Sequence, residues 1–89
     1  MNTDAAWYVY IVRCSDDTLY TGATKNLFKR IDKHNAGQGA KYTRARLPVL
    51  LFWFQKVSSK SEALKLECAI KKLSRSKKLE LGNANDGYA

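Results

Sequence analysis

The chain has 89 residues, 45% of them hydrophobic and 11% aromatic, which suits one small core and argues against disorder. Sixteen Lys and Arg against eight Asp and Glu leave a net charge of +8, which points to a nucleic acid, an anionic membrane surface or an acidic partner. Two cysteines without a CxxC spacing and one histidine exclude a disulfide framework and a closed zinc site.

The longest apolar run, Val49–Phe54, falls far short of the ~20 residues that span a bilayer. Met1–Asp4 carries no basic stretch and no apolar h-region, so no secretory signal is expected and a reducing, cytoplasmic setting is. Trp7–Arg13 is apolar on both faces and reads as a buried strand. Ser15–Asp17 reads as a turn. Thr18–Ala23 is shorter and more polar, the pattern of an edge strand. Asn26 can cap a helix that runs to about Asn35. Gly37 and Gly39 break the chain. Lys41–Arg46 is a basic loop or a single helical turn, closed by Pro48. Val49–Lys56 reads as a third strand, buried on both sides. Ser61 opens a helix to about Leu73, and Ser76–Leu81 forms a last short one. The expected fold is α+β, in the order ββ-α-β-αα. Its three-stranded antiparallel sheet is flanked by helices, with the first strand central. Residues 7–81 form a single domain, with tails at 1–6 and 82–89.

The charge is unevenly spread. Residues 25–46 hold Lys25, Lys29, Arg30, Lys33, Lys41, Arg44 and Arg46 against Asp32 alone. Eight basic and three acidic residues lie in 56–80, whereas the first 24 residues are net acidic. Lys25, Lys29, Lys33, Lys41, Tyr42, Thr43, Arg44 and Arg46 are therefore the candidates to grip a phosphate backbone. A membrane helix fits less well, because 61–73 has an ordinary core stripe and no Trp or Phe to seat in an interface.

Leu27 and Ile31 mark the buried stripe of the first helix. At about 100° per residue, Arg30 falls about 60° to one side of Leu27 and His34 lies between Arg30 and Leu27, so both face the core. On the later helix Ala63, Leu66, Ile70 and Leu73 form the stripe, and Glu67 sits at its inner edge, about 40° from Ala63. A carboxylate there in so basic a chain needs a cation or a metal. Each residue has an ordinary explanation when taken singly. Glu67 and Lys71 make an i, i+4 pair, Arg30 can snorkel, His34 can be a satisfied helix-end histidine, and the tyrosines can be core aromatics.

As an ordered set, Tyr8-Val9-Tyr10, Tyr20-Thr21-Gly22, Arg30, His34 and Glu67 resemble the GIY-YIG nuclease superfamily. Tyr10, Tyr20 and Arg30 are spaced ten residues apart. Thr24–Leu27, the segment Gly37–Arg46 followed by Leu47-Pro48, and Glu62–Glu67 extend the likeness to roughly residues 7–80. The chain looks most like the small, stand-alone bacterial branch. It is also similar to the catalytic domains of UvrC-type repair incision enzymes and of structure-selective flap endonucleases. Two positions depart: Tyr8 stands where the first tripeptide has glycine, and Ala23 where some repair members carry lysine.

The resemblance implies metal-dependent hydrolysis of DNA phosphodiester bonds, in repair or recombination. It implies one divalent metal, Mg²⁺ or Mn²⁺, with Glu67 as its only protein ligand, which suits a cation that keeps most of its waters. Tyr10 would be the general base, although a phenol with a pKa near ~10 needs nearby cations for that role. Arg30 would hold the scissile phosphate, and Tyr20 and His34 would orient water or phosphate. A protein partner is one source of substrate specificity, and a non-catalytic nucleic-acid-binding module of the same fold is the alternative. A small domain whose basic face meets an acidic protein is a third reading. The mechanism requires Tyr10 and Tyr20 on one sheet face. A three-residue turn at Ser15–Asp17 satisfies this by setting Tyr10 opposite Gly22, with room there for substrate to approach, whereas a two-residue turn at Asp16-Asp17 places the tyrosines on opposite faces.

Overall fold

The computed structural model describes residues 6–83. Strand β1 (Trp7–Arg13) and strand β2 (Leu19–Thr24) are followed by helix α1 (Leu27–Asn35) and the single turn α2 (Lys41–Arg44). Strand β3 (Leu50–Val57), helix α3 (Lys60–Lys71) and helix α4 (Arg75–Asn83) complete the chain. The sheet is antiparallel in the order β2-β1-β3, so the strand apolar on both faces is indeed central. Apart from Ala6 and the last two residues of α4, the expected tails lie outside the described residues.

The β1–β2 turn decides the register. Cys14 N–H donates to the Thr18 carbonyl at 2.8 Å, and Asp17 N–H donates to the Cys14 carbonyl at 2.9 Å. This leaves a three-residue loop, Ser15–Asp17, with Asp17 at φ 71°. A left-handed third residue is what this hairpin length requires, and Asp tolerates it better than most side chains. Tyr10 therefore faces Gly22 and Val12 faces Tyr20. Tyr10 and Tyr20 share one face, as the mechanism requires.

Each face of the sheet has its own core. Val9 and Ile11 point to one side and pack with Trp53, Ala63 and Ile70, which seats α3 there. Tyr10 and Val12 point to the other side and pack with Cys14, Leu27 and Val49, which seats α1. The third strand departs from expectation. It is an edge strand, with Leu50 68% exposed and Trp53 its one buried residue. A register irregularity between Ile11 and Val12 pairs them with Trp53 and Leu51, so Phe52 is an extra residue in β3.

Helix starts follow local hydrogen bonding. Asn26 caps α1 by accepting from Lys29 N–H at 3.2 Å. The cap of α3 is Ser59, two residues before the expected start, and it accepts from Glu62 N–H at 3.2 Å. Glu62 reaches back to accept from Ser58 N–H and Oγ, so a Ser-x-x-Glu pair, not Ser61, sets the boundary. Helix α1 ends in Gly37 at φ 79°, a left-handed position at a helix C-terminus.

One side chain locks α1 to β3. The Asn35 amide donates to the Val49 carbonyl at 3.1 Å and accepts from Val49 N–H at 2.7 Å. Removing it strands the N–H and carbonyl of Val49, a buried residue. Asn35→Ala is expected to lower unfolding free energy by about 1–3 kcal/mol in urea titrations. A change below a few tenths of a kcal/mol would show that the clamp does not hold the helix.

Candidate active site

Helix α1 presents Leu27, Ile31 and His34 to the sheet as one stripe, and His34 is fully buried on the last turn. Its ring bridges two hydroxyls. Tyr10 Oη is 2.9 Å from Nε2, and Thr43 Oγ1 is 2.8 Å from Nδ1. Thr43 Oγ1 also donates to the Ala40 carbonyl at 3.0 Å. Thr43 has one proton, and a carbonyl can only accept. Thr43 therefore accepts from Nδ1–H, which leaves Nε2 of a neutral ring to accept the Tyr10 proton. Burial, reinforced by the Arg30 charge, lowers the His34 pKa and keeps the ring neutral.

Tyr10 is also fully buried. Burial raises its pKa, and the Arg30 guanidinium beside it pulls the other way without winning. Tyr20 and Glu67 add smaller upward pushes, so all three residues lie within electrostatic reach of the phenol. The space opposite Gly22 is not left for substrate. The Tyr10 ring fills it, and a Cβ on Gly22 would lie 2.5 Å from Tyr10 Oη. Gly39 is similarly closed over His34, whose ring a Cβ there would strike.

Around this pair stands a stack of rings. The Tyr20 ring meets His34 edge-on at 5.5 Å and lies nearly parallel to Tyr42 at 5.9 Å. Arg46 covers Tyr42 with its guanidinium 4.0 Å from the ring centre. Arg46 also bonds Asp16 and the Tyr42 carbonyl, at 3.0 and 2.8 Å. Its Nε and one Nη are thus engaged within the fold, while the side chain stays 33% exposed. Thr43 departs from the expectation that it grips phosphate, since it is fully buried against His34. Lys25, Lys29, Lys33, Lys41, Tyr42 and Arg44 are exposed as expected. Lys29, Arg30 and Lys33 line an open groove of about 520 Å³ along α1, with Asp32 as its acidic member.

Arg30 itself is half-buried, and its Nε is enclosed without a hydrogen-bond acceptor among the described residues. Glu67 comes from α3, on the opposite side of the sheet. Its side chain is 18% exposed and pairs with Lys71 at 3.0 Å. That hydrogen bond raises the Lys71 pKa, to which Tyr20 also contributes. No group of three or more His, Cys, Asp or Glu residues able to hold a metal occurs among the described residues. Glu67 alone fits a hard cation such as Mg²⁺ whose remaining ligands are water and substrate phosphate oxygens. Tyr10, Tyr20, Arg30 and His34 thus gather on one sheet face, while Glu67 stands on α3 and reaches Tyr10 only through its charge.

The GIY-YIG catalytic domain profile matches residues 6–80. The chain belongs to the GIY-YIG catalytic domain family. This domain is of nuclease type and implies a nucleic acid as substrate. A UPF0213 protein of Staphylococcus saprophyticus is 58% identical over 74 residues, covering 83% of this chain and 90% of the relative. A UPF0213 protein of Staphylococcus haemolyticus is 54% identical over 77 residues, covering 86% and 94%. The solution NMR structure of a UPF0213 protein from Bacillus halodurans superposes with a TM-score of 0.59 at 45% identity, covering 92% of this chain and 87% of that one. A second NMR structure, of a protein from E. faecalis, gives 0.60 at 39% identity, covering 90% and 85%. No helix among the described residues is long and apolar enough to cross a membrane.

The GIY-YIG site carries a pH signature. His34 is the chain's one histidine, and its folded-state pKa lies below its unfolded value. The unfolded chain therefore takes up a proton that the fold resists, and stability falls as pH drops below about 6.5 toward the folded-state pKa. Melting temperature is expected to decline between pH 7.5 and 5.5. His34→Gln, less stable overall, should show a flatter profile across that window. Equal slopes in the two proteins would contradict a neutral, buried His34.

Proposed function

We propose that this protein is a metal-dependent nuclease that hydrolyses phosphodiester bonds in DNA, in repair or recombination. The gathering of Tyr10, Tyr20, Arg30 and His34 on one sheet face, with the Glu67 charge within electrostatic reach, supports this reading. Hydrolysis needs a deprotonated water, cations on the phosphoryl oxygens and relief of charge on the leaving oxygen. Arg30 supplies a fork for the scissile phosphate, and its unpartnered Nε is a donor that an anionic oxygen would satisfy. Lys29 and Lys33 extend the positive groove along the strand that leaves it.

Tyr10 and His34 form the proton path. Tyr10 has no exposed surface and a raised pKa, so it does not act as a free phenolate. Instead it passes its proton to His34 Nε2 while accepting one from the attacking water. Thr43 fixes the tautomer that makes the transfer possible. Glu67 would hold one divalent ion, Mg²⁺ or Mn²⁺, which when bound supplies charge stabilisation to the phosphate and a more acidic water. Tyr20, held between His34 and Tyr42, orients water or phosphate. A protein partner remains part of this proposal as a source of substrate specificity. The burial of Tyr10 favours one second reading, a non-catalytic nucleic-acid-binding module of the same fold.

A cleavage assay on labelled DNA and RNA with Mg²⁺ or Mn²⁺, controlled by EDTA, separates the two. Metal-dependent products that disappear in Glu67→Ala, with binding retained, are expected of a nuclease. Salt-sensitive binding without turnover under any of these conditions would leave the binding module. For the proton path, Thr43→Val is expected to cut turnover at least tenfold and to alter its pH profile, while Thr43→Ser stays within about threefold of the parent. Unchanged turnover and pH profile in Thr43→Val would remove the relay.

A further inference from the structure

Next to the candidate site, on the same sheet face, lies a recess that the proposed chemistry leaves unused. Its volume is about 320 Å³, and Tyr8, Lys25, Asn26, Leu27, Phe28 and Phe54 line it. The Tyr8 and Phe54 rings meet at a tilt, 6.2 Å apart. Phe28, on the first turn of α1, is 72% exposed, the largest such value among the exposed large hydrophobic residues described. An aromatic ring so exposed contributes little to the core, and apolar patches rimmed by polar residues are characteristic of interaction surfaces.

We propose that this recess binds an unpaired nucleobase of the strand whose phosphate lies at Arg30. Two observations select that occupant. The recess adjoins the candidate site: Tyr8 is two residues from Tyr10 on the same strand face, a step of about 7 Å, and Asn26 lines both the recess and the groove at Arg30. Its rim is also positive, with Lys25 in the lining and Lys29 one helical turn beyond Asn26. Rings that stack a base beside cations that meet its phosphate are the pairing that single-stranded recognition uses. A base inside a duplex keeps its faces against its neighbours and cannot enter, so the recess selects strands with unpaired bases at the cut. Tyr8, which stands where the family motif has glycine, supplies one wall.

The inference rests on the proposed nuclease reading, because it takes the bound strand to be a substrate. Its test needs no turnover. Fluorescence anisotropy in EDTA compares a short labelled single strand with a blunt duplex of the same length, using the parent, Phe28→Ala and Phe28→Trp. Phe28→Ala is expected to weaken single-strand binding about tenfold and duplex binding less than twofold, with Phe28→Trp retaining parental affinity. The exposure of Phe28 makes a folded variant the expectation, and circular dichroism verifies it. Equal weakening on both DNAs, or none on the single strand, overturns the recess. Selective weakening in a protein that never cuts leaves the recess standing and rejects the nuclease. Metal-dependent cutting with no selective effect of Phe28→Ala does the reverse.

Discussion

The buried line from Tyr10 through His34 to Thr43 is the constraint on which the remaining geometry depends. Three polar side chains, each fully buried, are taken from β1, α1 and α2 and satisfy one another. In a low-dielectric interior such a network holds only if every donor finds its acceptor. The Ala40 carbonyl closes the line at one end. Small residues make room for it, with Gly22 beneath the Tyr10 ring and Gly39 against the imidazole. A methyl group at either position would push a member of the line out of place.

The candidate residues come from both sides of a thin sheet. Helix α1 brings Arg30 and His34 to the tyrosine face, whereas α3 packs on the other face through Ala63 and Ile70. Burial is what raises the Tyr10 pKa, and the Glu67 charge adds a small push in the same direction from the other face. The Arg30 guanidinium and the Glu67 carboxylate thus act on Tyr10 from different helices. The basic groove, the aromatic stack and the recess at Phe28 are arranged around that point. Arg46 belongs to the scaffold here, bracing Tyr42 and Asp16 and, through Tyr42, the ring of Tyr20.

Much of this was legible in the sequence because it depends on local periodicity. The cap at Asn26, the stripe Leu27-Ile31-His34 and the inward lean of Arg30 follow from 3.6 residues per turn. The shared face of Tyr10 and Tyr20 follows from the number of residues in one turn, which the sequence narrowed to two choices. Where the reading failed, the deciding contact was distant in sequence. Thr43 looked like part of a basic phosphate grip, and only its meeting with His34 turns it inward. Nor does a motif mark the Asn35 clamp on Val49, because a backbone partner can be any residue. Hydrophobicity placed Val49–Lys56 in the core on both sides. Its partner strand lies on one side only, and that leaves an edge.

The most direct measurement is the tautomer of His34, which as the chain's one histidine gives a single pair of ring nitrogen signals. Nitrogen-15 NMR at pH 7 should show a protonated Nδ1 and an unprotonated Nε2 that accepts a hydrogen bond. Tyr10→Phe should perturb Nε2 and leave Nδ1 protonated. A protonated Nε2, or an imidazolium at that pH, would contradict the proton path from Tyr10 to His34 and with it the role of Thr43.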